Sequence, residues 1–409
     1  IPCVNICVRY IFIFYNIKYI EVAVMRKFEM SSKICTGSDA LDILLELPFG
    51  KAILITDPYM VSSGIVSTVT SRLEKNNFEY SVFSEIEPDP SMETVVKGLA
   101  DIIAKQPDYI IALGGGSAID AAKGMIYFLR ASKKDIKVPK FIAIPTTSGT
   151  GSEVTSYAVI SDRQRGIKIP ISDSSLVPEL VILDPGYTKT LPPAMIAYTG
   201  MDVLTHALEA YVSGNTTDCT DMFAFEAARL TIKHLPAMYR NAENEEHRMK
   251  MHSASTMAGI AFTNAGLGLS HGIAHTMGAQ YHITHGKLNA IILPYVIAFN
   301  AGLDKNRVNS VESRYAQLAL RLGLEAKSDK RLCVMLIAAV EFLRKQFDIP
   351  ASLRECDVDR DKFYAEMESN ADKILEDACT KANPIKVGKE DVIYLLKCIY
   401  NGELSGLIN

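Results

Sequence analysis

The eight histidines of this 409-residue chain all lie between His206 and His285. Asp202 and His206 are four residues apart on a predicted helix, and so are His271 and His275. Each pair therefore lies on one helix face and can approach one ion. A single histidine pair one turn apart is usually structural. With His285, these make five metal-capable side chains in two clusters, in a chain with no histidine elsewhere, and they predict a metal site.

The ligand types restrict the metal without selecting it. One carboxylate with several imidazoles is a nitrogen and oxygen ligand set, which suits Fe(II), Zn(II), Mn(II) or Co(II). Five candidates exceed the usual four ligands, which leaves one side chain free for proton transfer. The other histidines have weaker contexts: His234 and His247 are predicted at the surface, and His252 and His282 are candidates for positions around the ligands.

Basic residues are scarce around both clusters. Lys287 is the only Lys or Arg in residues 253–295, and residues 199–213 contain neither. Phosphate and carboxylate ligands usually need Arg or Lys partners. The sequence therefore favours a small, neutral substrate.

A glycine-rich turn, Gly114-Gly115-Gly116-Ser117, stands between a predicted strand and a predicted helix. Glycines permit close approach of a ligand, and the following helix N-terminus, with Ser117 as the predicted N-cap, suits a pyrophosphate. Residues 146–152 form a second such loop after the next strand, and Asp57 ends the first strand, where a carboxylate can bind a ribose diol. A single glycine-rich loop, or Asp57 on its own, is commonly just part of a turn. The two loops together favour a nucleotide.

The hydrophobic pattern defines the elements that hold these residues. Apolar runs predict strands at 52–56, 79–83, 108–113, 140–144 and 180–183, with helices at 59–76, 91–105 and 118–131. Strands alternating with helices indicate a parallel sheet covered on both faces. Residues 154–160 and 167–171 predict a hairpin.

Strand signals end near residue 190. Helices are predicted at 193–213, 218–237, 245–265 and 311–323. We therefore predict an α/β, dinucleotide-binding domain at 25–190 and an all-helical, metal-binding domain at 191–409.

Composition excludes several classes of protein. The apolar content of 48% and charged content of 22% are ordinary for a globular chain, and the net charge of −4 gives no reason to bind nucleic acid or a membrane. Eight scattered cysteines without a CxxC pair predict reduced thiols in a cytoplasmic protein. Residues 1–24 precede the first methionine, Met25, and are predicted to be an extension without chemistry, or alternatively an added edge strand.

These motifs resemble the iron-containing, group III alcohol dehydrogenases. The similar segments are 114–124 (GGGSAIDAAKG), 145–155 (PTTSGTGSEVT), 200–211 (GMDVLTHALEAY) and 266–294, and the resemblance extends from Met25 to the C-terminus. Segments 82–90, 166–171 and 250–262 look most like the 1-propanol dehydrogenases of bacterial microcompartment pathways.

The resemblance implies a dehydroquinate synthase-like architecture and an NAD(H)-linked enzyme. The expected reaction of such an enzyme is the interconversion, by hydride transfer, of a small primary alcohol such as 1-propanol or ethanol and the corresponding aldehyde. A divalent metal is expected, usually Fe(II), with Zn(II) as the alternative. A homodimer or larger homo-oligomer is expected, in the cytoplasm or inside a microcompartment.

The resemblance also assigns roles by position. The implied metal ligands are Asp202, His206, His271 and His285, and His275 is the catalytic histidine beside the nicotinamide. The implied cofactor-binding residues are Asp57 (associated with NAD rather than NADP), Gly115, Gly116, Ser117, Asp120, Thr146, Thr147, Thr155 and Lys168. The implied substrate pocket comprises Tyr157, Phe262 and Cys379.

Other activities remain open at this stage. A diol such as 1,3-propanediol, or lactaldehyde, is an alternative substrate. A metal-dependent lyase of the same architecture would need a basic clamp, which the site segments lack, and the zinc-using glycerol dehydrogenases have different motifs. A non-catalytic shell-associated protein would not need all four ligands and both glycine loops.

Overall fold

A parallel sheet forms the centre of the N-terminal half of the computed structural model, which describes residues 26–132, 137–165, 167–303 and 310–408. The predicted extension at 1–24 lies outside the described residues. The six strands of the sheet are β1 (Lys33–Thr36), β2 (Lys51–Ile55), β3 (Glu79–Phe83), β4 (Tyr109–Gly114), β5 (Lys140–Pro145) and β8 (Leu180–Leu183). Their order is β1-β8-β5-β4-β2-β3, and every neighbouring pair is parallel.

Apolar side chains cover both faces of this sheet. In β2, Ile53 and Ile55 pack into one core, whereas Ala52 and Leu54 pack into another, because successive strand residues point to opposite faces. The helices of this half are α1 (Pro58–Ser62), α2 (Val66–Lys75), α3 (Met92–Lys105) and α4 (Gly116–Ala131). The predicted parallel sheet with two covered faces is confirmed.

One local prediction for this half was wrong, and one strand was missed. The single helix expected at 59–76 is divided into α1 and α2, because Gly64 takes a positive φ of 78° that ends the helical path. The strand β1 was not predicted, since its four residues show no alternation and are only partly buried.

The predicted hairpin is present as a separate two-stranded antiparallel sheet, formed by β6 (Tyr157–Asp162) and β7 (Ile167–Ser172). Its first strand begins later than expected, because Ser152–Val154 forms a short 3-10 helix instead.

Helices make up the C-terminal half. They are α5 (Pro193–Val212), α6 (Asp218–Arg240), α7 (Glu245–Ala265), α8 (Leu269–Tyr281), α9 (His285–Asn300), α10 (Ser310–Arg321), α11 (Asp329–Gln346), α12 (Arg360–Glu376), α13 (Ala378–Lys381) and α14 (Lys389–Asn401). Residues 200–212 of α5 and 288–300 of α9 are buried on every side, so these two helices form the centre of the bundle. Within the described ranges, no helix is long and apolar enough to cross a membrane.

The loop after β5 packs against α7 and joins the two halves. A Cβ on Gly151 would lie 2.8 Å from Cα of Gly259, so the two backbones are in direct contact. Thr256 donates a hydrogen bond to Glu153 at 2.7 Å, and both side chains are buried. The carboxyl edge of the sheet is thereby held against the helical half.

Candidate metal and cofactor site

Three of the predicted metal ligands meet between α5, α8 and α9. Asp202, His271 and His285 each offer one ligand atom, and these atoms lie within 4.8 Å of one another. Nε2 of His271 lies 3.7 Å from Oδ1 of Asp202, and Nε2 of His285 lies 3.6 Å from the same oxygen. The two clusters recognised in the sequence are therefore one cluster in space.

The acceptor atoms of Asp202, His271 and His285 surround one point, and the side-chain amide of Asn289 occupies it. Its Nδ2 donates to Oδ1 of Asp202 at 2.7 Å and lies 3.2 Å from Nε2 of both His271 and His285. An NH₂ group has two hydrogens and cannot satisfy three acceptors. Three acceptor atoms thus surround a buried point with too few hydrogens to satisfy them. A cation bound there would interact with all three, so the residues present fit a divalent metal.

Close helix packing places His285 beside Asp202. His285 is the first residue of α9, and a Cβ on Gly286 would lie 2.2 Å from the carbonyl oxygen of Tyr198 in α5. Only glycine permits this approach of α9 to the backbone of α5.

The fourth predicted ligand, His206, lies beside the cluster but outside the group of three. Its ring stacks on His271 with centroids 4.5 Å apart and on Phe262 with centroids 4.6 Å apart. Its Nδ1 is buried and finds no hydrogen-bond partner among the residues that the structure describes. A buried ring nitrogen without a partner is costly, which is expected where a ligand completes the site.

Burial keeps the imidazoles of this site uncharged. It lowers the pKa of His206 to about 4 and that of His285 to about 3, and it lowers the pKa of His271 well below its ordinary value. It raises the pKa of Asp202. Neutral imidazole is the form that binds metals.

Glu209, which the sequence analysis missed, holds His271 from behind. His271 donates from Nδ1 to Oε2 of Glu209 at 2.6 Å, and the backbone N–H groups of Gly268 and Ser270 donate to the same carboxylate at 3.1 and 2.6 Å. Burial raises the pKa of Glu209 to about 8, against these hydrogen bonds. Its position three residues after His206, on the same face of α5, is a signal that could have identified it.

His275 lies next to the cluster without joining it. Its ring stacks on that of His285 with centroids 5.4 Å apart. Its Nδ1 donates to Oδ2 of Asp377 at 3.0 Å, and Oδ1 of Asp377 accepts from the backbone N–H of Cys379 at 2.8 Å. His275 is half-exposed, so it can exchange protons with solvent. Asp377 was also missed in the sequence.

The predicted cofactor loops lie together at the carboxyl edge of β2, β4 and β5, which are neighbours in the sheet. A Cβ on Gly115 would lie 3.3 Å from Thr147, and one on Gly116 would lie 2.8 Å from Thr150. The two glycine loops are therefore packed against each other. Asp57 follows β2 and accepts from the backbone N–H of Met60 at 3.0 Å, which caps α1.

The predicted N-cap role of Ser117 was wrong. Helix α4 begins at Gly116, two residues earlier than predicted, and its N-cap is Gly115, which has no side chain to occupy the N–H groups. These groups are therefore free of a side-chain cap and available to an anionic ligand.

Asp120 and Lys123 hold the end of the second loop by hydrogen bonds, and Thr155 is bonded to Lys123. Asp120 accepts from Oγ of Ser152 at 2.6 Å and from the backbone N–H of Val159 at 3.0 Å. The buried Nζ of Lys123 donates to the carbonyl oxygens of Ser152 and Thr155 at 2.6 and 2.8 Å. Thr146 is buried, and its N–H donates to the carbonyl oxygen of Gly114 at 3.0 Å.

The remaining predicted site residues are spread around the cluster. Lys168 pairs with Asp89 at 2.8 Å. The pKa of His285 is lowered mainly by burial, then by His275, and to a lesser extent by the charge of Lys168. Tyr157 begins β6 and is exposed, and Phe262 stacks on His206.

The surface prediction for His234 was wrong. His234 is buried and lies with Nδ1 3.0 Å from Nδ1 of His247. His252 is buried as well, with its Nδ1 3.2 Å from Oγ of Ser148 in the second loop.

Comparisons with known proteins identify the family of this chain. Residues 31–185 match the family model described as iron-containing alcohol dehydrogenase, and residues 196–400 match the C-terminal model of the Fe-containing alcohol dehydrogenase family. The 1-propanol dehydrogenase PduQ of Salmonella typhimurium is 40% identical over 375 residues, which cover 91% of this chain and 99% of that protein.

Two further relatives cover similar lengths. The NADPH-dependent butanol dehydrogenase of Clostridium saccharobutylicum is 38% identical over 392 residues, covering 92% of this chain and 99% of that protein. A crystal structure of a 1,3-propanediol oxidoreductase superposes with a TM-score of 0.84 and 30% identity, covering 92% of this chain and 100% of that one.

The fold and the site define a metal-dependent oxidoreductase with a parallel-sheet half and a helical half. The chain belongs to the iron-containing alcohol dehydrogenase family. It is an alcohol dehydrogenase, acting on a CH–OH group.

Proposed function

We propose that this enzyme interconverts a small primary alcohol, such as 1-propanol or ethanol, and the corresponding aldehyde, with NAD(H) and Fe(II). The observation that carries the proposal is the convergence of Asp202, His271 and His285 on one buried point, with His275 at its edge. A relative of 40% identity is a 1-propanol dehydrogenase, which supports 1-propanol as a substrate.

Asp202, His206, His271 and His285 would hold the metal in this proposal. When bound, the metal supplies Lewis-acid chemistry that lowers the pKa of the alcohol, and the nicotinamide supplies the hydride acceptor. The set contains no sulfur, which suits Fe(II), and Zn(II) is compatible with the same ligands.

His275 would carry the proton between the site and solvent. Its Nδ1 is engaged by Asp377, so Nε2 is the nitrogen left to exchange a proton. Asp377 is a positioning residue in this scheme, because it fixes the ring and its tautomer. Half-exposure gives the ring access to water while its inner face stays against His285.

Phe262, Tyr157 and Cys379 would shape a pocket for a short, uncharged substrate. Lys168, the basic side chain that we assign to the cofactor site, is already paired with Asp89. A carboxylate or phosphate on the substrate would lack a free cationic partner there. A diol is the second candidate, supported by the similarity to a 1,3-propanediol oxidoreductase.

The dinucleotide would bind across the two glycine loops at the sheet edge. Gly115, Gly116 and Ser117 would receive the pyrophosphate at the start of α4, and Thr146, Thr147, Thr155, Asp120 and Lys168 would border the rest. Asp57 would accept hydrogen bonds from the ribose diol and repel a 2′-phosphate. This favours NAD, although one relative uses NADPH.

The two halves would act as functional domains. We infer that residues 25–190 bind NAD, that residues 191–409 bind the metal, and that catalysis occurs in the cleft between them. The active form would be a homodimer or a larger homo-oligomer.

The test is steady-state oxidation of NADH with propionaldehyde after anaerobic loading with Fe(II). Turnover with propionaldehyde that requires the metal supports the proposal. Faster turnover with 3-hydroxypropionaldehyde or lactaldehyde would favour the diol-type substrate. No NADH oxidation with any aldehyde by the metal-loaded protein would contradict it.

A further inference from the structure

We propose a second metal site, formed by His275, Asp377 and Cys379, which binds Zn(II) or a similar thiolate-seeking divalent ion beside the catalytic cluster. One ligand atom from each of the three residues lies within 4.8 Å of the others. In the part of the chain that the structure describes, this group and the catalytic group are the two sets that meet this criterion.

Helix packing fixes the three side chains relative to one another. His275 lies on α8, Asp377 joins α12 to α13, and Cys379 lies in α13. A Cβ on Gly272 would lie 2.0 Å from Oγ1 of Thr380, so α13 is seated directly on α8 one turn before His275. The site is therefore set by the fold rather than by flexible surface chains.

The present distances are close to those of a coordinated ion. Nδ1 of His275 lies 3.0 Å from Oδ2 of Asp377, and the other oxygen of Asp377 is held by the N–H of Cys379 at 2.8 Å. Zinc bonds of about 2.0–2.3 Å in tetrahedral geometry place ligand atoms roughly 3.5 Å apart. Small side-chain movements would thus suffice for coordination.

The ligand types select a different ion from the inner cluster. A thiolate and a carboxylate supply two negative charges, which balance a divalent cation, and a neutral imidazole completes a set typical of zinc. The inner cluster has no sulfur. In the inner cluster Asp202 and His271 are buried and only His285 is partly exposed, whereas all three outer residues are partly exposed. An ion from solvent can therefore reach the outer group without passing the inner one.

Occupation of the outer site would inhibit the enzyme, and this consequence rests on the proposed function. An ion there engages His275 and removes it from proton transfer. It also takes up Cys379, which we assign to the substrate pocket. Free zinc would thus switch off catalysis without displacing the catalytic iron.

Anaerobic titration of the metal-free full chain with Co(II) tests the second site. Cobalt bound by a thiolate shows a near-ultraviolet charge-transfer band, which an oxygen and nitrogen set cannot produce. We expect two equivalents to bind to the wild-type chain, with the band accompanying one of them. Cys379→Ser should bind one equivalent of Co(II) and lose the band. The control Cys219→Ser, which changes an exposed thiol, should bind two equivalents and keep the band.

The outcomes separate this site from the catalytic one. A single equivalent without the band, or a band that survives in Cys379→Ser, would overturn the second site. If the wild-type chain instead binds one equivalent of Co(II) and that equivalent shows the thiolate band, the second site stands and only the catalytic metal set is contradicted.

Zinc inhibition of the Fe(II)-loaded enzyme tests the functional consequence. We expect the inhibition constant for Zn(II) to rise at least tenfold in Cys379→Ser relative to Cys219→Ser. An unchanged constant would overturn the inhibitory role.

Discussion

The carboxylate of Glu209 accepts a 2.6 Å hydrogen bond from Nδ1 of His271, and both side chains are buried. This contact fixes the tautomer of His271 and leaves Nε2 unprotonated, directed toward Asp202 and His285. One carboxylate on α5 therefore orients a ligand on α8, while the backbone N–H groups of the first turn of α8 hold that carboxylate in place.

We predict that Glu209→Ala lowers metal affinity by about 10–100-fold, because the His271 ring loses its orienting partner. Glu209→Gln should lose less, since its amide oxygen can still accept a hydrogen bond. Metal content after dialysis against a graded chelator measures the effect. Glu226→Gln, which breaks a surface pair with Arg229, is the matched control. Equal metal retention in Glu209→Ala and the control would contradict this role.

Asp57→Asn is predicted to relax the preference for NAD over NADP. Asparagine caps a helix about as well as aspartate, so α1 keeps its N-cap while the charge that would repel a 2′-phosphate is removed. The ratio of kcat/KM for the two cofactors should shift toward NADP at least tenfold. Asp173→Asn, at another capping position, controls for the loss of one surface charge. An unchanged ratio would count against the ribose role.

Gly116→Ala should raise KM for the cofactor with little change in kcat. The added Cβ would lie 2.8 Å from Cγ2 of Thr150, so the two glycine loops must separate. Thr150→Ser removes that methyl group, and the double variant should recover most of the lost affinity. Initial rates at varied NADH give KM for the four proteins. Failure of Thr150→Ser to rescue would show that the contact between the loops does not set cofactor affinity.

Lys123→Met is predicted to destabilise the chain by about 3 kcal/mol, because buried carbonyl oxygens lose a charged donor. Nζ of Lys123 donates to the carbonyl oxygens of Ser152, Thr155 and Tyr157. Urea denaturation measures the change. Lys97→Met breaks only an exposed pair with Glu85 and should change stability by less than about 0.5 kcal/mol. Equal stability of the two variants would rule out this bracing role.

The architecture was largely predictable because its signals are local. Apolar runs separated by turns identified five of the six sheet strands, and the loss of strand signals near residue 190 coincides with the start of α5 at Pro193. The i, i+4 spacing placed Asp202 and His206 on one face of a helix. The break at Gly64 depends on one backbone angle, and a lone glycine in a helical pattern did not reveal it.

The partners of the site histidines were not predictable in the same way. Glu209 and His271 are 62 residues apart, and His275 and Asp377 are 102 apart. These contacts arise from the packing of α5, α8 and α13, which no local pattern encodes. Asn289 resembled an ordinary polar residue in an apolar helix, and only the assembled bundle shows its amide facing the ligands.

The role of the metal cluster in catalysis is tested by measuring iron content and NADH oxidation with propionaldehyde in the same preparations of wild type and His271→Ala. Both proteins are loaded anaerobically with Fe(II), and circular dichroism checks that both are folded. We expect about one iron per catalytic cluster and aldehyde reduction in the wild type, and loss of both in His271→Ala. A folded, iron-free His271→Ala enzyme with full activity would contradict it.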